Sequence, residues 1–152
     1  RLNTVLYITF PYERFVTLFY CELTTSQNGL VLFANAGHCA PLHYRASREE
    51  FEILGPTGGL LGIIEEQKFR VENINMRRGD ILVIVTDGIL EAQNSNGEIF
   101  GEERLKELVE KYHDQSAQDI ACTIIEDVQK FSIGATYSDD KTIVVIKREK
   151  HG

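Results

Sequence analysis

The 152-residue chain has no tryptophan, a single methionine and three prolines, and no aspartate precedes Asp80. Nowhere does an apolar run approach the length of a membrane span, and nothing forms a secretory or lipidation signal. The apolar start (Leu2, Val5, Leu6, Ile8, behind Arg1) lacks a small-residue cleavage site and is expected to begin inside a helix. No basic stripe interrupts a formal net charge of −7, which argues against a nucleic-acid partner. A phosphorylated substrate is not excluded, because a bound divalent metal can supply local positive charge. Cys21, Cys39 and Cys122 are odd in number and fit no metal or redox spacing. They point to a reducing, cytoplasmic setting.

What is present is enough apolar residue to bury one domain's core. Ile81 to Val85 is a β-branched run behind Gly79-Asp80, and it reads as a buried strand. Thr86-Asp87-Gly88 follows directly. A carboxylate at the end of a buried strand, with a glycine beside it, is either a turn-forming Asp-Gly pair or a site for a hard cation such as Mg²⁺ or Mn²⁺.

Leu2, Val5, Leu6 and Thr9 show helical spacing that Pro11 terminates. Phe15–Leu23 and Leu30–Ala36 flank Thr24 to Gly29 and predict a β-hairpin with an Asn-Gly turn. Short strands are expected at Leu42–Arg45 and Phe51–Leu54, then a glycine-rich loop from Gly55 to Gly62. Phe69, Val71, Ile74 and Met76 predict another strand, with an irregularity near Asn73. Leu105, Leu108, Val109 and Tyr112 fall on one helical face, with Glu102 and Glu103 in the first turn. Ser116 and Asp119 form a variant capping box opening a second helix, whose face is Ile120, Ile124, Val128 and Phe131. Ser132–Ser138 is a loop, and Thr142–Ile146 a final aliphatic strand. Strands followed by two helices and one returning strand predict an α+β layered domain.

Asp139-Asp140 abuts that last strand. If it lies antiparallel to Ile81–Val85, Asp87 and Asp139 meet at one end of the sheet, and their mutual repulsion calls for a metal. An acidic pair in an exposed turn is the alternative. Asn94, Asn96, Gly97 and Glu103 match part of a calcium-binding loop, but Ala92 stands where its first carboxylate belongs. Gly55 to Gly62 lacks the Gly-Lys-Ser/Thr ending of a phosphate-cradling loop. His38, Cys39 and His43 have no second cluster to complete a zinc set. His38 either serves as a general acid or organises its own loop. No Gly-x-Ser-x-Gly elbow supports a serine hydrolase.

Phe15-Val16-Thr17-Leu18-Phe19-Tyr20, Asn35-Ala36-Gly37-His38, Gly79-Asp80 with Thr86-Asp87-Gly88, Glu91-Ala92, Phe100-Gly101 and Asp139-Asp140-Lys141-Thr142 occur in that order. The series resembles the metal-dependent PP2C-type serine phosphatases of bacterial stress and sporulation signalling, the SpoIIE/RsbU group. The resemblance implies an αββα sandwich with a two-metal Mn²⁺ or Mg²⁺ centre at one edge. It implies Asp87, Asp139 and Asp140 as metal-site residues, Asp87 and Asp139 carrying catalysis, and Asn35, Gly37, His38 and Gly88 as substrate-binding or loop-organising positions. It also implies a phosphoserine substrate, typically an anti-sigma-factor antagonist of the STAS type, and an upstream sensor or receiver domain. Two upstream aspartate motifs of that family have no counterpart before Asp80. Residues 1–152 are therefore expected to be one partial domain, the C-terminal two-thirds, lacking the first strands and first helix. Weak metal binding, little or no activity and a tendency to dimerise through exposed strand edges are expected to follow. A non-catalytic regulatory module with the same fold is the alternative, and a single-metal domain unrelated to phosphatases is a third.

Overall fold

A computed structural model describes residues 1–11, 14–24, 29–135 and 139–149. Two compact units interleave along the chain: Arg1–Ala40 with Leu54–Met76, and Pro41–Ile53 with Arg77–Gly152. No helix among the described residues is long and apolar enough to cross a membrane.

In the first unit, helix α1 spans Leu2–Thr9 and ends at Phe10, whose extended backbone suits a residue preceding proline. The helix is tied down by Asn3. Its Nδ2 donates to the carbonyls of Ile64 and Glu65, and its Oδ1 accepts from the Gly62 amide. Strands β1 (Leu18–Leu23) and β2 (Leu30–Ala36) form the expected antiparallel hairpin, in register from Leu23↔Val31 to Leu18↔Ala36. Residues 25–28 of the expected turn lie outside the described residues.

The hairpin's first strand is shorter than its sequence allows. Phe15 lies outside it, and Val16 makes only an isolated bridge to Leu61. Strand β5 (Glu72–Asn75) completes the sheet in the order β1-β2-β5. Its expected irregularity is absent, for Asn73 pairs regularly with Leu32. The apolar residues at 69 and 71 run out of phase with those at 74 and 76. The strand therefore begins after the break, burying Ile74 and leaving Val71 67% exposed.

In the second unit, β3 (Leu42–Arg45), β4 (Glu50–Ile53), β6 (Ile81–Val85) and β7 (Ile143–Lys147) build an antiparallel sheet in the order β4-β3-β6-β7. Strands β4 and β7 are each offset by one residue from their expected bounds. Alternate residues Leu42, Tyr44, Ile81, Val83 and Val85 share one face. They join one apolar cluster with Leu105 and Val109 of α3 (Gly101–Tyr112) and Ile120, Ile124 and Val128 of α4 (Ala117–Phe131). The helical spacing seen in the sequence is thus the spacing of this buried seam. Ser116 caps α4 as expected, its hydroxyl oxygen accepting from the Asp119 amide at 3.1 Å.

The chain after β6 is not loop. Asp87–Leu90 forms a one-turn helix, α2, that buries Ile89 in the same cluster.

Candidate metal centre

Antiparallel pairing of β6 with β7 sets Val85 opposite Ile143. The pairing is extended past both strand ends by threonines. The Thr86 amide donates to the Thr142 carbonyl (3.1 Å), the Thr142 amide to Thr86 Oγ1 (3.1 Å), and the Thr86 hydroxyl to the Asp140 carbonyl (3.3 Å). Two segments more than fifty residues apart in sequence are thereby held side by side. Asp87 and Asp139 line one small cavity of about 110 Å³, together with Glu91, Ser132 and Lys141.

Local backbone donors fix both carboxylates. Asp87 Oδ1 accepts from the Gly88 amide at 3.0 Å, and Asp139 Oδ1 from the Asp140 amide at 2.8 Å. Gly88 is required by contact rather than by an unusual backbone: a Cβ there would collide with the Asp140 carbonyl oxygen. Asp140 supplies that carbonyl, and its side chain is not among those lining the cavity.

In donor chemistry the cavity suits Mn²⁺ or Mg²⁺, since both carboxylates are hard oxygen ligands. In donor number it is sparse. Among the described residues no group of three or more His, Cys, Asp and Glu is placed to hold a metal ion. A larger cavity of about 490 Å³ lies in the first unit against Leu18, Tyr20, Leu61 and Phe69, and contains neither aspartate.

Asn35, Gly37 and His38 belong to the first unit. The organising side chain there is Asn35, fully buried. Its Nδ2 donates to the carbonyls of His38 and Leu54, and its Oδ1 accepts from the His38 amide at 2.9 Å. His38 thus takes part through its backbone. Gly37, at φ +74°, packs against Leu60 so closely that a Cβ would overlap its side chain.

The remaining sequence candidates resolve into structure. Asn94 Oδ1 accepts from the amides of Asn96 and Glu98, so it organises a turn instead of facing calcium. His43 is fully buried between two carboxylates, with Nδ1 3.2 Å from Glu52 and Nε2 3.3 Å from Asp80. Burial would raise the Asp80 carboxyl. Hydrogen bonds from His43 and from the amides of Arg77 and Ala46 outweigh it and hold the group below its ordinary value. Glu52 behaves alike: burial raises it, while Arg45 and then His43 pull it lower still. The sequence carries no mark of this network, because its three members lie apart in the chain and meet only through the β3–β4 and β3–β6 pairings.

The antiparallel α+β units match solved PP2C domains. The SiaA PP2C domain of Pseudomonas aeruginosa gives a TM-score of 0.77 at 16% identity, over 95% of this chain and 56% of that one. The phosphatase domain of SpoIIE from Bacillus subtilis, presoaked with Mn, gives 0.67 at 20% identity, over 90% and 58%. In sequence, the phosphoserine phosphatase RsbU of Bacillus subtilis is 26% identical over 149 residues, 98% of this chain and 44% of RsbU. The family model of Stage II sporulation protein E (SpoIIE) matches residues 1–149, and the chain belongs to that family, within the PP2C-type phosphatases of the SpoIIE/RsbU group. The chain spans less than half the length of the curated relatives it matches.

Proposed function

We propose that the chain is the C-terminal two-thirds of a metal-dependent protein serine phosphatase domain, with Asp87 and Asp139 as its metal ligands. The observation that carries this reading is the convergence of those two carboxylates on one cavity, in a chain of this family. Mn²⁺ or Mg²⁺, when bound, supplies activation of water for attack on phosphorus and neutralises the developing charge. The chain's part is to hold the two carboxylates in fixed orientation through the amides of Gly88 and Asp140, and to keep their segments apposed through Thr86 and Thr142. The substrate is a phosphoserine protein, with an anti-sigma-factor antagonist of the STAS type as the natural candidate. A sensor or receiver domain upstream and a cytoplasmic setting accompany it.

The sparse donor set supports a corollary, that this chain alone has little activity. It also supports a second reading, a regulatory module that keeps the fold without the chemistry. One experiment separates them. Phosphate release from a phosphoserine protein is measured with Mn²⁺ for the natural full-length protein, for this chain, and for Asp87→Asn and Asp139→Asn in the full-length background. The phosphatase reading expects full-length activity that falls at least about a hundredfold in either variant. Full-length protein that is inactive with Mn²⁺ supports the regulatory module. Robust hydrolysis by this chain alone removes the corollary.

Self-association belongs to the same proposal. Strand β1 is an edge of its sheet and exposes Tyr20 and Leu23, a surface suited to strand pairing between copies. Size-exclusion chromatography at rising concentration tests it.

A further inference from the structure

The carboxylate cavity is not lined by carboxylates alone. Lys141 is the cationic side chain among its described lining residues, in a lining that also holds Asp87, Glu91 and Asp139. Its position is set by structure: Lys141 lies between Asp139 and Thr142, the residue joined to Thr86, and its Nζ comes within 3.5 Å of the Asp139 carbonyl. Ser132, closing the C-terminal end of α4, lines the same cavity. Its hydroxyl is shielded from solvent and finds no hydrogen-bond partner among the described residues. A buried hydroxyl without a partner is costly, and native proteins keep few of them.

A phosphoryl group entering this cavity meets carboxylates, which when ionised have no donor to offer and repel its non-bridging oxygens. Those oxygens need donors. An ammonium offers three N–H groups and no acceptor, on a stem flexible enough to follow the ligand. A serine hydroxyl rotates to donate where required. Lys141, Ser132 and Gln93 are the lining residues with side-chain donors; Lys141 alone among them carries a positive charge, and the Ser132 hydroxyl is the one buried without a partner among the described residues.

We propose that Lys141, assisted by the Ser132 hydroxyl, anchors the non-bridging oxygens of the substrate's phosphoryl group. The inference rests on the phosphatase reading and adds to it a recognition role distinct from metal ligation. It makes the third residue of Asp139-Asp140-Lys141-Thr142 a determinant of phosphate affinity.

The test uses the natural full-length protein with Mn²⁺ and inorganic phosphate as the probe, with binding followed by calorimetry. Lys141→Gln is expected to weaken phosphate binding about tenfold, the size of one lost charge-assisted hydrogen bond. Lys141→Arg is expected to recover most of that loss, and Ser132→Ala to weaken binding by a smaller factor. Mn²⁺ affinity, measured separately, stays unchanged in all three. Phosphate affinity at the wild-type level in folded Lys141→Gln overturns the proposal. If Lys141→Gln does not fold, wild-type phosphate affinity in Ser132→Ala overturns it instead. Asp87→Asn and Asp139→Asn are titrated alongside. Retained Mn²⁺ binding in both defeats the phosphatase reading itself, whereas its loss beside unaltered phosphate affinity in Lys141→Gln defeats the anchor alone.

Discussion

The backbone of Gly88 lies against the carbonyl oxygen of Asp140, with no space for a Cβ between them. The obstructing atom is main chain, and that main chain is fixed by the Thr86 hydroxyl and by the pairing of β6 with β7. It cannot move aside as a side-chain tip would. Gly88→Ala is therefore expected to destabilise the chain by about 1–3 kcal/mol, as overpacking does. It should also part the Asp87 and Asp139 segments. Chemical denaturation measures the first effect, and amide chemical shifts confined to residues 86–90 and 139–142 report the second.

Asp80 anchors the other end of β6. It is 1% exposed and accepts from the amides of Arg77 (2.8 Å) and Ala46 (3.0 Å) while facing His43. Asp80→Ala leaves the buried His43 ring and the amides of Arg77 and Ala46 without their acceptor, a loss of about 1–3 kcal/mol. The pH dependence follows from the lowered carboxyl. Near the ordinary value of 3.8 the unfolded chain takes up a proton that the folded chain refuses, so stability rises with pH there. The contribution is complete above that value and disappears as pH falls through the lower, folded one; Glu52, lowered from 4.5, acts in the same sense. Urea denaturation of wild type and Asp80→Asn from pH 6 down to 3 should show the wild-type advantage shrinking only at the acid end.

Much of this architecture was legible because it is periodic. Leu30–Ala36, Leu42–Arg45 and Ile81–Val85 were delimited without error, each being a continuous apolar or alternating run bounded by turn residues. The four residues of α2 gave no such signal, since one turn is too short to show a period. Asp80 and His43 could not be paired from sequence. Their contact depends on the β3–β6 register, which sets His43 opposite Leu82, two residues from the aspartate. Asp87 and Asp139 were connected by the residues around them in order, whereas Ser132 and Lys141 reach the same cavity from a helix end and a strand approach that carry no pattern of their own.

Ser116 offers a cleaner energetic test, being remote from every candidate site residue in sequence. Its hydroxyl accepts from the Asp119 amide and donates to the Asp119 carboxylate at 2.6 Å. Ser116→Ala removes both bonds at the start of a fifteen-residue helix whose face supplies Ile120, Ile124 and Val128 to the core. A loss of about 1 kcal/mol is expected. In a chain of this size that lowers the melting temperature by about 2–4 °C, readable by differential scanning calorimetry.

Metal affinity decides between the readings of the carboxylate cavity. With two carboxylates converging and no group of three or more His, Cys, Asp and Glu placed to hold an ion among the described residues, the cavity supplies only part of a divalent ion's shell. Sparsely charged oxygen sites bind hard cations with dissociation constants of about 0.1–1 mM or weaker. Titration of this chain with Mn²⁺, followed by paramagnetic broadening, should therefore broaden the amides of residues 87–91 and 139–142 only at millimolar metal. Asp87→Asn or Asp139→Asn should abolish even that, because one carboxylate cannot desolvate a divalent ion that two hold weakly. Stoichiometric binding at micromolar Mn²⁺ would mean that the isolated chain assembles a full ligand set, and the partial-domain reading would fail with it.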